Sequence, residues 1–172
     1  HGNVLHQLDG RPALALYKEY LGDRATQLPA SALLFPLSVR APEGDVELVR
    51  TVLGVDEATS TMTFAGDIPE GWTARLMRTT LDRLIDAAGV AAEHASRGEG
   101  RNELTIAVSC VGRRLVLGER SDEEVEAASS TLGSSSPLIG FYSYGEISPH
   151  SGQSELHNQT MTLTTLSEST AR

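Results

Sequence analysis

Cysteine is almost missing from this chain: Cys110 is the single one among 172 residues. One thiol closes no disulfide within a chain and builds no zinc ribbon or cysteine-held cluster in one copy. Base is scarce relative to acid, 14 Lys plus Arg against 23 Asp plus Glu, for a formal charge of −9 with histidines neutral. That balance argues against a nucleic-acid binder that tracks phosphates. There is no apolar run of the roughly 18 residues needed to cross a bilayer, and the N-terminus lacks the basic-then-apolar layout of a signal peptide. A soluble, cytoplasmic protein without a membrane partner is expected. No glycine loop of a common phosphate-binding type occurs. None of His1, His6, His94, His150 and His157 makes an i, i+4 metal-binding pair, so no metal site is expected. Aromatics amount to only 5%, which makes their concentration in Phe141-Tyr142-Ser143-Tyr144 informative.

What is present is ordinary for a globular protein: 40% apolar and 22% charged residues. The length suits one domain over residues 1–172, with 1–3 as a linker or tag remnant and 168–172 as a tail. A start at His1-Gly2 in place of methionine suggests a piece of a longer protein. Val4 to Leu8 reads as a strand ended by Asp9-Gly10, and Pro12 suits the first turn of a helix that carries Leu14, Tyr17 and Leu21 on one face to a cap at Gly22. Ala32 to Val39 reads as an apolar strand bent or pushed to an edge by Pro36. Three closely spaced strands follow, Glu47 to Val55, Thr59 to Ala65 and Trp72 to Met77, as an antiparallel meander. Thr79 or Thr80 caps a long helix whose stripe is Leu81, Leu84, Ile85, Ala88, Ala92 and Ala95. A strand from Leu104 to Cys110 is expected to continue past Gly112 to Leu117. Ser121 and Glu124 fit a capping box opening a helix to about Gly133, with Val125, Ala128 and Leu132 inward. Leu138 to Ile147 and Asn158 to Leu166 complete the strands. This order predicts an α+β fold, a largely antiparallel sheet covered by two or three helices.

Alternation along Phe141 to Ile147 would place Tyr142, Tyr144 and Glu146 on one face, two phenols and a carboxylate able to ring a small polar ligand. Gly140 and Gly145 would leave room for close backbone approach. The plainer alternative is a half-buried edge strand whose tyrosines cover the sheet. Arg113 or Arg114, beyond a strand end, suits bidentate capture of a carboxylate, or else decorates a solvated turn. Cys110 with His157 as base and Asn158 or Glu146 as orienting group has the residue types of a cysteine-dependent enzyme. Against that, Cys110 shares a face with Leu104, Ile106 and Val108, as a buried small hydrophobe would. His157 is able to serve as an axial haem ligand or simply to bond backbone. Asn158-Gln159-Thr160 matches a glycosylation acceptor, accidental without a secretory signal.

Three stretches carry a resemblance: Ser109-Cys110-Val111-Gly112-Arg113-Arg114, Gly140-Phe141-Tyr142-Ser143-Tyr144-Gly145-Glu146-Ile147, and His157-Asn158-Gln159-Thr160-Met161-Thr162-Leu163. In that order, and preceded by Leu8-Asp9-Gly10-Arg11-Pro12-Ala13, they resemble the C-terminal half of the FIST family of sensory domains, over about residues 4–168. The resemblance implies a non-enzymatic, ligand-binding input module of bacterial signal transduction whose ligand is an amino acid or similar metabolite. It implies histidine kinases, cyclic-dinucleotide enzymes or chemotaxis receptors as output partners. An N-terminal FIST half, missing from this chain, is implied as well. Ligand contacts fall, by the same resemblance, at Arg113, Tyr142, Tyr144, Glu146, His157 and Asn158. Some bacterial members are haem proteins that sense nitric oxide and regulate a kinase, which makes haem the alternative to a site without cofactor.

Overall fold

A computed structural model describes residues 2–43, 46–97, 102–133, 136–150 and 153–168. The expectations for His1 and for residues 169–172 lie outside them. Contacts gather into two compact units, His1–Arg78 with Ile147–Asn158, and Thr79–Glu146 with Gln159–Arg172.

In the first unit, the chain opens with β1 (Val4–Leu5), β2 (Gln7–Leu8) and β3 (Arg11–Pro12), then α1 (Ala13–Leu21). The single strand expected over Val4 to Leu8 is divided at His6, because β2 folds onto β3 through the Asp9-Gly10 turn while β1 pairs elsewhere. Pro12 belongs to that hairpin and precedes the helix. Leu14, Tyr17 and Leu21 are buried as the helical spacing predicts, and Gly22 ends the helix at φ 59. The expected strand from Ala32 begins instead as a 3-10 turn, Ala30–Leu34, and becomes β4 (Leu37–Arg40) only after Pro36. Proline stands outside the ladder, so β4 is free to be central, with β5 (Glu47–Arg50) and β8 (Thr73–Leu76) antiparallel on either side.

The run Glu47 to Val55 likewise breaks, at Thr51. Beyond it β6 (Val52–Asp56) pairs with β7 (Thr61–Phe64), which pairs in turn with β1. Side chains from both three-stranded sheets and from α1 meet in one core, with Leu14, Val39, Met62 and Phe64 almost wholly buried. Each such burial contributes roughly 1.5–3 kcal/mol.

In the second unit, Thr80 caps α2 (Leu81–Ala95) by accepting from the Arg83 amide. Next come β9 (Asn102–Cys110), α3 (Val111–Leu117), α4 (Ser121–Leu132) and β10 (Leu138–Ser143). A hairpin of β11 (Glu146–His150) and β12 (Gln153–His157) follows, its residues from Ile147 grouped with the first unit. The chain then returns as β13 (Met161–Ser167). β9 is central, parallel to β10 and antiparallel to β13. Ala88 and Ala92 of α2 and Ala128 of α4 pack with Ala107 and Met161. Small residues let the two helices lie close, with Gly89 facing Thr131 and Ala127.

The fold is α+β, as expected, but in the second unit four further local expectations are corrected. The strand does not run on to Leu117: α3 takes over at Val111, and its buried residues are Gly112, Arg113 and Leu117. Ser121 makes no capping bond, and Glu124 is buried with Ala128 on the inner face of α4 while Val125 is exposed. On β9 the deeply buried face is Thr105, Ala107 and Ser109, with Leu104, Ile106 and Val108 only half-buried on the other. β10 stops at Ser143 and β13 starts at Met161, so neither expected strand is continuous over its full length.

Candidate functional site

Beyond β9, the second unit holds two buried carboxylates with different surroundings. Glu124 is paired: Arg113 Nε donates to it at 2.8 Å, Ser109 Oγ donates at 3.0 Å, and a further Arg113 nitrogen donates to the Leu84 carbonyl at 2.6 Å. Arg113 is thus turned into the domain, held between α2 and α4. Glu146 has no cation among its hydrogen-bond partners: Ser143 Oγ donates at 2.9 Å and Thr160 Oγ1 at 2.8 Å, joined by the Thr160 amide and the Cys110 thiol. Burial raises its pKa above the ordinary carboxylate value, and these donors offset only part of that.

Burial and then the Glu146 charge raise the pKa of the Cys110 thiol. That is the reverse of the depressed pKa an attacking cysteine needs. The Tyr142 phenol is also raised, by burial first and then by the charge of Glu124, while the Arg114 guanidinium stands 5.0 Å from its ring centroid.

Tyr142, Tyr144 and Glu146 do not share one strand face. Tyr142 lies on β10 and lines a shallow groove of about 540 Å³ over α4. Tyr144 lies past the strand end and is 89% exposed, whereas Glu146 is buried at the start of β11. The room at Gly140 serves the sheet: a Cβ there would overlap the Ala107 carbonyl oxygen on β9.

His157 and Asn158 belong to the first unit, and both are buried. Asn158 Oδ1 accepts from the Thr51 amide at 3.2 Å and its Nδ2 donates to the His157 carbonyl at 3.1 Å. Beside them lies Arg50, which the sequence did not single out. Its buried guanidinium donates to the carbonyls of Asp67, Val49 and Leu156 at 2.9, 3.2 and 3.0 Å, fastening residues 147–158 to the break between β5 and β6. Gly66 lies against this guanidinium at φ +139, where a Cβ would press on the Arg50 side chain at 3.0–3.3 Å and the left-handed backbone strains any side chain.

The larger cavity was not legible in the sequence. A cleft of about 1110 Å³ opens in the first unit between the segment from β1 through β2 to Asp9, α1 and the stretch from Asp67 to Leu76. Trp72 and Tyr20 lie on its wall, with Leu5, Leu16 and Ile68 deeper, and its polar groups include Asp9, Asp67 and Glu70. Among the described residues, no lysine or arginine lines it. One signal was available: Tyr20 sits three residues from Tyr17 yet lies outside the buried stripe, 71% exposed. The walls do not suit haem, whose two propionates would face carboxylates without a cation, and His157 is not among the lining residues. Among the described residues, no group of three or more His, Cys, Asp and Glu is placed to hold a metal ion, and no helix is long and apolar enough to cross a membrane.

A family model, the FIST C domain, matches residues 13–149, most of the chain. The chain belongs to the FIST C family. Neither the curated proteins nor the solved structures include a match to it. FIST C domains are sensory-type domains found in signalling proteins, which points away from catalysis. The match runs through both compact units: it takes in residues 13–78 of the first, leaving the cleft residues Gly2 and Leu5 to Asp9 outside it, and the Arg113–Glu124 cluster of the second.

Proposed function

We propose that this FIST C domain is the small-molecule-binding input module of a signal-transduction protein, with a small polar metabolite of the size of an amino acid as its ligand. The cleft of the first unit carries this reading. Its volume falls at or just above the upper end of the roughly 300–1,000 Å³ of small-molecule sites, and its lining mixes apolar and aromatic side chains with a few polar groups, the usual make-up of such sites. Signalling follows by population shift: a ligand that prefers one arrangement of the domain biases the attached kinase, cyclic-dinucleotide enzyme or receptor by its differential affinity. Thermal-shift screening of amino acids and small metabolites, followed by calorimetry, tests this. A hit whose binding is lost on filling the cleft with Ala74→Trp supports the reading; a full panel that moves nothing, or hits indifferent to Ala74→Trp, overturns it.

An N-terminal FIST half is the proposed partner of the second unit. Supporting this, the face of β10-β9-β13 away from α2 and α4 carries Ile139 and Phe141, 55% and 62% exposed, beside half-buried Ile106 and Val108. Contiguous apolar surface of this kind marks association sites. Phe141→Asp should abolish co-purification with a separately expressed N-terminal half and leave the isolated domain folded.

A further inference from the structure

The cleft of the first unit has one property that narrows its ligand: three carboxylates line it and, among the described residues, no lysine or arginine does. Asp9 sits in the β2–β3 turn, Asp67 and Glu70 in the stretch before β8, and all three are exposed. The His6 imidazole shares the wall with them. Arg50 lies behind Asp67, donating to its backbone carbonyl, and part of the Asp67 charge is balanced there.

Three aromatic rings share the wall with these acids: Trp72, Tyr20 and the buried Tyr17. Trp72 is half-buried and Tyr20 exposed, from segments about fifty residues apart in sequence that the fold brings to one cleft. An indole face attracts a cation through its quadrupole, most strongly among the aromatic side chains. Carboxylates at the mouth raise the local concentration of positively charged ligands and repel anions. The apolar remainder, Leu5, Leu16 and Ile68, asks for a hydrocarbon portion on the same molecule.

We propose that this cleft binds an amphipathic organic cation, an amine with an apolar or aromatic body whose charged head faces Trp72, Asp67 and Glu70. This rests on the small-molecule reading above and specifies its ligand class. A free carboxylate on the ligand counts against binding, so among amine metabolites the decarboxylated amine is preferred over the parent amino acid.

Trp72 is the only tryptophan in the chain, so intrinsic fluorescence excited at the indole reports on this cleft and no other place. The probes are 2-phenylethylamine, 2-phenylethanol, 3-phenylpropionate and L-phenylalanine, which share a body and differ in charge. The expected result is a saturable Trp72 signal with 2-phenylethylamine at least about fivefold tighter than with the alcohol, and weakest with the anion. Added salt should narrow the gap between amine and alcohol. The double variant Asp67→Asn with Glu70→Gln should remove the preference for the amine and leave the alcohol unchanged. Equal binding of amine, alcohol and anion overturns the cation class while the small-molecule reading stands. A Trp72 signal absent for every probe, together with a metabolite panel that gives no thermal shift, overturns both; a panel hit that leaves Trp72 fluorescence unchanged overturns this site.

Discussion

Arg113 and Glu124 form an ion pair at 2.8 Å, with side chains only 3% and 0% exposed. Both residues carry a charge that hydropathy assigns to the surface, and both are turned inward because each meets the other. Removing one partner leaves the second charge buried and alone. Glu124→Leu or Arg113→Met should each cost about 3–5 kcal/mol in urea unfolding, whereas Arg113→Met and Glu124→Leu combined should recover most of that loss. A double-mutant cycle showing additive effects would dismiss the coupling.

Gly140 is fixed by the sheet. Its Cα faces Ala107 across the parallel β9–β10 ladder, where a Cβ would run into the Ala107 carbonyl oxygen, a backbone atom that cannot swing aside. Gly140→Ala should lower stability by about 1–3 kcal/mol through overpacking, read as a lower Tm. A Tm equal to that of the parent would show that the strands separate without penalty.

Glu146 makes stability depend on pH in a stated direction. Its folded pKa is raised by burial, so the folded state holds the proton more tightly than the unfolded state does. Stability from this group is therefore greatest at acid pH and falls as pH rises from the ordinary carboxylate range through the raised value. Glu146→Gln should flatten that part of the urea-midpoint profile and raise the midpoint at neutral pH. An unchanged profile would mean that Ser143 and Thr160 compensate the buried charge in full.

Cys110 should resist modification. With its thiol buried and its pKa raised, native protein should react with a thiol-specific disulfide reagent far more slowly than protein in denaturant. Fast stoichiometric labelling of the native state would revive the cysteine-enzyme reading.

Arg50 donates to three backbone carbonyls, those of Val49 and Asp67 and, on β12, that of Leu156. Arg50→Met should cost roughly 2–3 kcal/mol and speed amide exchange at residues 153–158 before the rest of the first unit. Exchange that accelerates uniformly would place the effect on global stability alone.

The amino-acid pattern by itself determined the parts of this protein whose signals are local. Thr80 caps α2 and the Leu84, Ala88, Ala92 stripe is buried, since a cap and an apolar face at 3.6-residue spacing are encoded within one helix. The Asp9-Gly10 turn, the α1 stripe and the α+β class were legible for the same reason, and the motifs from Ser109 to Leu163 carried the family. The first unit's cleft was not legible, because its walls come from β1, β2, α1 and the Asp67–Leu76 stretch, each unremarkable alone. Nor was the inward turn of Arg113 and Glu124: eleven residues apart on different helices, each would be excluded from the interior without the other. Tertiary structure decided these features because they depend on groups meeting in space. A charge is stable inside only beside its counter-charge, and a cavity exists only where separate segments stop short of one another.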